Sequence, residues 1–72
     1  MQVENGKVKW FDAKKGYGYL NAEADGREVY CHASGLANPA DKLLLNKGMR
    51  VTFVESAGQR GPKATNVRLV KN

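Results

Sequence analysis

At 72 residues the chain holds at most one small domain, expected to span residues 1–72, and offers little room for a deep catalytic cleft. Its single cysteine, Cys31, leaves no pair for an internal disulfide, and its longest apolar cluster, Leu43 to Leu45, is far too short to cross a bilayer. Twelve Lys and Arg against seven Asp and Glu give a net charge of +5, a bias toward polyanions that a merely basic soluble domain would also show.

The N-terminal stretch MQVENGKVKW carries no apolar run of signal-peptide length, so a cytoplasmic, reducing location is expected and no membrane association. Glycines then recur about every ten residues between short segments rich in Val, Tyr, Phe and Thr, the rhythm of a small all-β domain. The first predicted strand, Lys7 to Asp12, belongs to a basic stretch in which Lys7, Lys9, Lys14 and Lys15 are opposed only by Asp12. Strict alternation cannot place Lys9 and Trp10 on one face, so presenting both outward requires a bulge. Trp10 is expected on the outer face with Phe11 at its margin; the competing reading makes Trp10 the core anchor.

The second predicted strand, Tyr17 to Ala22, follows paired lysines in KKGYGYL and puts Tyr17 and Tyr19 on one face, Gly18 and Leu20 on the other. Asp25-Gly26 reads as a two-residue type I′ turn leading antiparallel into a third strand, Glu28 to Ala33. Here Val29, Cys31 and Ala33 form a better interior set than Tyr30 and His32, which have polar tips. The tyrosines could be core. The partner-strand parity, the other core candidates (Val8, Leu20, Val29, Val51, Phe53, Val67, Leu69) and the flanking lysines argue instead for an outward surface of Tyr17, Tyr19, Tyr30 and His32. Aromatic rings interleaved with cations are suited to stacking unpaired bases while lysines meet phosphate.

Between Ser34 and Gly48 the strand pattern lapses, and Pro39 suits the first position of one helical turn. Strands over Arg50 to Glu55 and Ala64 to Val70 complete five, enough to close a small barrel and remove its exposed edges. The only thiol and only imidazole, Cys31 and His32, are adjacent on a strand and should point apart, which argues against a nucleophile and base pair and against an enzyme. No phosphate-binding loop or zinc-ligand spacing is present, so neither metal nor cofactor is expected.

The segments GKVKWFDAKKGYGYL, EVYCHAS and GQRGPKATNV, in this order over about residues 5 to 70, resemble the bacterial cold-shock proteins, KGYGYL matching that family's first ribonucleoprotein motif and VYCHAS its second. The resemblance implies an all-β, five-stranded antiparallel OB-fold barrel that binds single-stranded RNA or DNA, often as an RNA chaperone or antiterminator. Carried over by position, it implies base stacking by Trp10, Tyr17, Tyr19, Tyr30 and His32 with Phe11 contributing, backbone contacts from Lys9 and Lys15, and Arg60 and Pro62 bordering the strand from the loop before the last strand. The chain departs from the family at Ala33, where relatives commonly carry Phe, and in Gly35 to Lys47, which has no aromatic. At about 1–3 kcal/mol per stacked base, two missing platforms amount to very roughly 2–6 kcal/mol. The longer, Leu-rich loop is the expected seat of any protein partner or homodimer contact. A module that has exchanged nucleic acid for a protein partner, or an SH3-like barrel gripping a peptide, is the alternative reading.

Overall fold

A computed structural model describes residues 3–59 and 61–70. The chain forms five strands, β1 (Val3–Asp12), β2 (Tyr17–Ala22), β3 (Glu28–His32), β4 (Arg50–Gly58) and β5 (Gly61–Leu69), closed into a barrel in the order β1-β2-β3-β5-β4. Four ladders are antiparallel; the barrel closes where β3 and β5 run parallel, through Tyr30 with Lys63 and Cys31 with Ala64. That parallel seam follows from the long connection after β3, which carries the chain across the barrel so that the β4–β5 hairpin returns in β3's direction.

Inward positions are apolar on alternate residues, and Val8, Leu20, Val29, Val51, Phe53 and Val67 are almost wholly removed from water. Leu69, expected in this core, is only partly buried against it, while Ala22, Leu36, Leu45 and Ala64 join it. Two interruptions make the parity work. In β1 the register slips between Val8, opposite Leu20, and Trp10, opposite Tyr19, leaving Lys9 as the extra residue. In β5 a second slip brackets Asn66, whose φ of 51° is the left-handed conformation that Asn tolerates, and turns Val67 back into the core.

Gly18 shows why β2 needs a glycine on its inner face. It lies opposite Phe11, and a Cβ there would sit 2.6 Å from the Phe11 Cα and closer still to the Trp10 carbonyl oxygen. The post-bulge turn of β1 thus runs directly over Gly18.

The connections differ from the sequence expectations in three places. Asp25 does not take positive φ; only Gly26 does, at 73°, and the Gly26 N–H donates to the Ala22 carbonyl at 2.8 Å, so β2 and β3 are joined by a wider loop than a type I′ turn. β3 ends at His32, and Ala33 opens a 3-10 turn (Ala33–Gly35) instead of pointing into the core from the strand. The second 3-10 turn, Pro39–Leu43, does follow the expectation, with Pro39 in its first turn behind the Asn38 cap. β5 starts at Gly61, so Pro62 belongs to the strand, paired with Ala57, and not to the preceding loop.

One ion cluster clamps an end of the barrel. The Arg27 guanidinium bonds Glu4 of β1 at 2.7 and 2.9 Å, Asp25 at 2.9 Å and Glu55 of β4 at 2.8 Å, drawing three separated segments together. The Arg27 N–H, then its guanidinium, holds the Asp25 carboxyl below the usual aspartate range. A depressed carboxyl pKa stabilises the fold above the ordinary value of 3.8 and loses that contribution as pH falls toward the folded value.

Two outcomes are expected. Gly18→Ala should destabilise the domain by about 2 kcal/mol or more in urea unfolding, because the obstructing atoms are backbone. Arg27→Gln should lower Tm at neutral pH, less so at high salt, whereas Asp25→Asn should flatten the acid limb of a stability profile below about pH 4.

Candidate nucleic-acid interface

The bulge at Lys9 makes the outer face of β1, β2 and β3 a continuous aromatic surface. Opposed pairs across the ladders, Trp10 with Tyr19, Tyr19 with Tyr30 and Tyr17 with His32, bring five rings together. Ring centroids are 5.6 Å apart for Trp10 with both Tyr17 and Tyr19, 5.7 Å for Tyr19 and Tyr30, 6.1 Å for Tyr17 and Tyr30, and 6.5 Å for Tyr30 and His32. The rings support one another by edge and tilted contacts, the arrangement aromatic quadrupoles favour, and so stand half-buried without entering the core. Trp10 keeps 39% of its surface exposed and is therefore not the core anchor. Phe11 falls on the other side of the alternation, half-buried against the core.

Cations rim the surface. Lys9 is ion-paired to Glu28, which lies two residues before Tyr30 on the same face of β3, and both side chains are about half exposed. Lys15 is presented by the turn after β1, where the Asp12 carboxylate accepts the Lys14 and Lys15 N–H groups at 2.9 and 3.1 Å. That turn is tied to the end of β3 by the Ala33 N–H donating to the Gly16 carbonyl at 2.8 Å. Arg60 lies outside the described residues; Pro62 is exposed in β5.

Sequence reasoning missed Lys63. The parallel pairing of β3 with β5 sets it opposite Tyr30, and the two line a groove of about 480 Å³ with Ser56, Ala57, Gly58, Gln59 and Gly61. Only the parity of Lys63 with buried Ala64 hinted that it faces outward; its partner strand is a property of the closed barrel. Glu28 was missed for a similar reason, since its pairing to Lys9 bridges β1 and β3 across β2.

Cys31 and His32 do point to opposite sides. The Cys31 thiol lies in the core, where burial pushes its pKa up to about 11. His32 is on the ring surface, with its Nδ1 2.9 Å from the Ser34 hydroxyl. Of the three consecutive leucines, Leu45 is buried whereas Leu43 and Leu44 are exposed. Among the described residues, no helix is long and apolar enough to cross a membrane.

Comparison with known proteins agrees with this architecture. Residues 4–70 match the family model described as the 'Cold-shock' DNA-binding domain. The chain is 46% identical over 66 residues to Cold shock protein 2 of Lactiplantibacillus plantarum, covering 92% of this chain and 97% of that protein. It is 40% identical over 68 residues to the Cold shock-like protein CspA of Bordetella pertussis, covering 94% of this chain and all of that one. Among solved structures, drosophila Unr CSD456 superposes with a TM-score of 0.77 at 13% identity; the match covers 97% of this chain and 27% of the larger one, and shows the shared fold.

A reactivity measurement checks the inward placement of Cys31. Alkylation by iodoacetamide at pH 8 should be slow in the folded protein and become fast in denaturant, since the buried thiol is both shielded and overwhelmingly protonated.

Proposed function

The chain belongs to the cold-shock domain family of nucleic-acid-binding proteins, and from that membership we propose that it binds single-stranded RNA or DNA with little sequence preference, acting as an RNA chaperone or antiterminator. The observation that carries the reading is the outward ring surface of Trp10, Tyr17, Tyr19, Tyr30 and His32 with lysines at its border. Each base has a π-face, so stacking is indifferent to sequence, and unpaired bases reach the rings where duplex bases do not. Phosphates fall to Lys9, which exchanges Glu28 for the ligand, to Lys15, and to Lys63 in the groove beside Tyr30, while the family resemblance assigns Arg60 and Pro62 to the border of the bound strand. Phe11 contributes by backing the surface from beneath.

No fuel is required. A protein that binds only the unpaired state shifts a hairpin toward opening by mass action, which is what a chaperone of transcripts or an antiterminator must do. A cytoplasmic setting fits this work.

Exposed Leu43 and Leu44, 73% and 49% accessible, support a second reading in which the connection after β3 docks on a protein or on a second copy of the chain. Capture of a protein that survives nuclease and Tyr17→Ala, or concentration-dependent sedimentation lost in Leu43→Ser, would favour it.

Titration of a labelled oligonucleotide of about seven nucleotides at two salt concentrations tests the first reading. Binding should quench Trp10 fluorescence and weaken with salt; no binding at low salt rejects it. Tyr17→Ala and Tyr30→Ala should each cost about 1–3 kcal/mol of affinity with the fold retained. Lys15→Ala should instead reduce the slope of log K against log salt by about 0.7 while leaving the fluorescence change intact.

A further inference from the structure

His32 ends β3 and caps the 3-10 turn that follows, a dual position that fixes its proton. Its Nδ1 lies 2.9 Å from the Ser34 Oγ and 3.1 Å from the Ser34 backbone N. The hydroxyl alone leaves the tautomer open, because Oγ either donates to Nδ1 or accepts from an Nδ1–H. The backbone N–H removes the ambiguity: it only donates, so Nδ1 must offer its in-plane lone pair, and the hydroxyl then shares that lone pair as a second donor. The proton of the neutral ring is thereby confined to Nε2, at the far edge of the imidazole. His32 makes no further side-chain hydrogen bond among the described residues, which leaves that edge available.

We propose that the backbone N–H of Ser34 locks His32 in the Nε2–H form, turning the end of the aromatic surface into a directed hydrogen-bond donor for an acceptor oxygen or nitrogen of the bound nucleotide. The inference rests on the single-strand binding proposed above. The His32 ring lies 32° from the plane of Tyr30, which is itself 30° from that of Tyr17, so a nucleotide stacked along this row meets the ring face and its donor edge together. The imidazole thus does two things: its face stacks, and its edge reads the presence of an acceptor. The last ring in the row is the place where such a donor adds most, because Ala33 supplies no neighbouring ring.

His32 is the only histidine, so its two ring nitrogens can be assigned without ambiguity by long-range 1H–15N correlation on the ligand-free protein with the ring neutral. Nε2 is expected to resonate as a protonated, pyrrole-type nitrogen and Nδ1 as a pyridine-type acceptor. A protonated Nδ1 overturns the proposal whatever the protein binds. Ser34→Ala keeps the backbone N–H and should therefore retain the Nε2–H pattern; a mixture of tautomers in that variant overturns the backbone lock. His32→Phe, which keeps a stacking face and lacks the donor, should weaken oligonucleotide binding roughly two- to tenfold, the scale of one hydrogen bond. If His32→Phe leaves affinity unchanged, the donor edge is not used and the recognition role is wrong. Should the wild-type protein show the expected tautomer and bind no oligonucleotide, the proposed function fails, and with it the recognition role, while the Ser34 lock stands.

Walking one neutral methylphosphonate linkage along the strand locates the acceptor. A position where the His32→Phe penalty vanishes assigns it to that phosphate; a penalty that persists throughout assigns it to a base edge. Either result supports the donor, and a strand on which His32→Phe and wild type never differ overturns it.

Discussion

A single extra residue in β1 governs the molecule. Side chains alternate strictly across a strand, so without the slip at Lys9 the apolar parity of Gly6 and Val8 would carry Trp10 into the barrel and bring Phe11 out. The bulge reverses the phase in mid-strand. Val8 stays in the core, Lys9 and Trp10 both face solvent, and Phe11 turns inward over Gly18. Everything that makes the outer face aromatic and cationic at once depends on that reversal.

The glycine face of β2 is the counterpart of this arrangement. Phe11 and the Trp10 carbonyl press so closely on Gly18 that no side chain fits, and the space denied to the interior is what lets the two strands approach. Tyr17 and Tyr19 are then outward by parity, braced by Trp10 and Tyr30 and not by the core. Half-buried rings of this kind present faces to a ligand with little rotational freedom to lose, an advantage for a surface whose affinity comes from stacking.

Charge is distributed to the same end. Arg27 gathers Glu4, Asp25 and Glu55 at one end of the barrel, and Asp12 is occupied in capping the turn that carries Lys14 and Lys15. Glu28 is the acidic group left beside the rings, and it holds Lys9. The ion pairs therefore serve structure at the clamp and restraint at the surface, where one lysine must change partners for a phosphate to take it.

Much of this was legible in the chain itself. Period-two alternation in YGYL and EVYCH separated rings from core, the conflict between Lys9 and Trp10 left either a bulge or one of them turned inward, and the order of the motifs pointed to the cold-shock family. These are local properties, written in residues that are neighbours or near neighbours. What only the folded chain decided is non-local: the parallel seam that sets Lys63 beside Tyr30, the reach of Arg27 to three segments, the burial of Leu45 with Leu43 and Leu44 left outside, and the loop geometry that kept Asp25 out of positive φ. Barrel closure fixes those together, and no short window of sequence carries the information, because each depends on which distant strand arrives alongside.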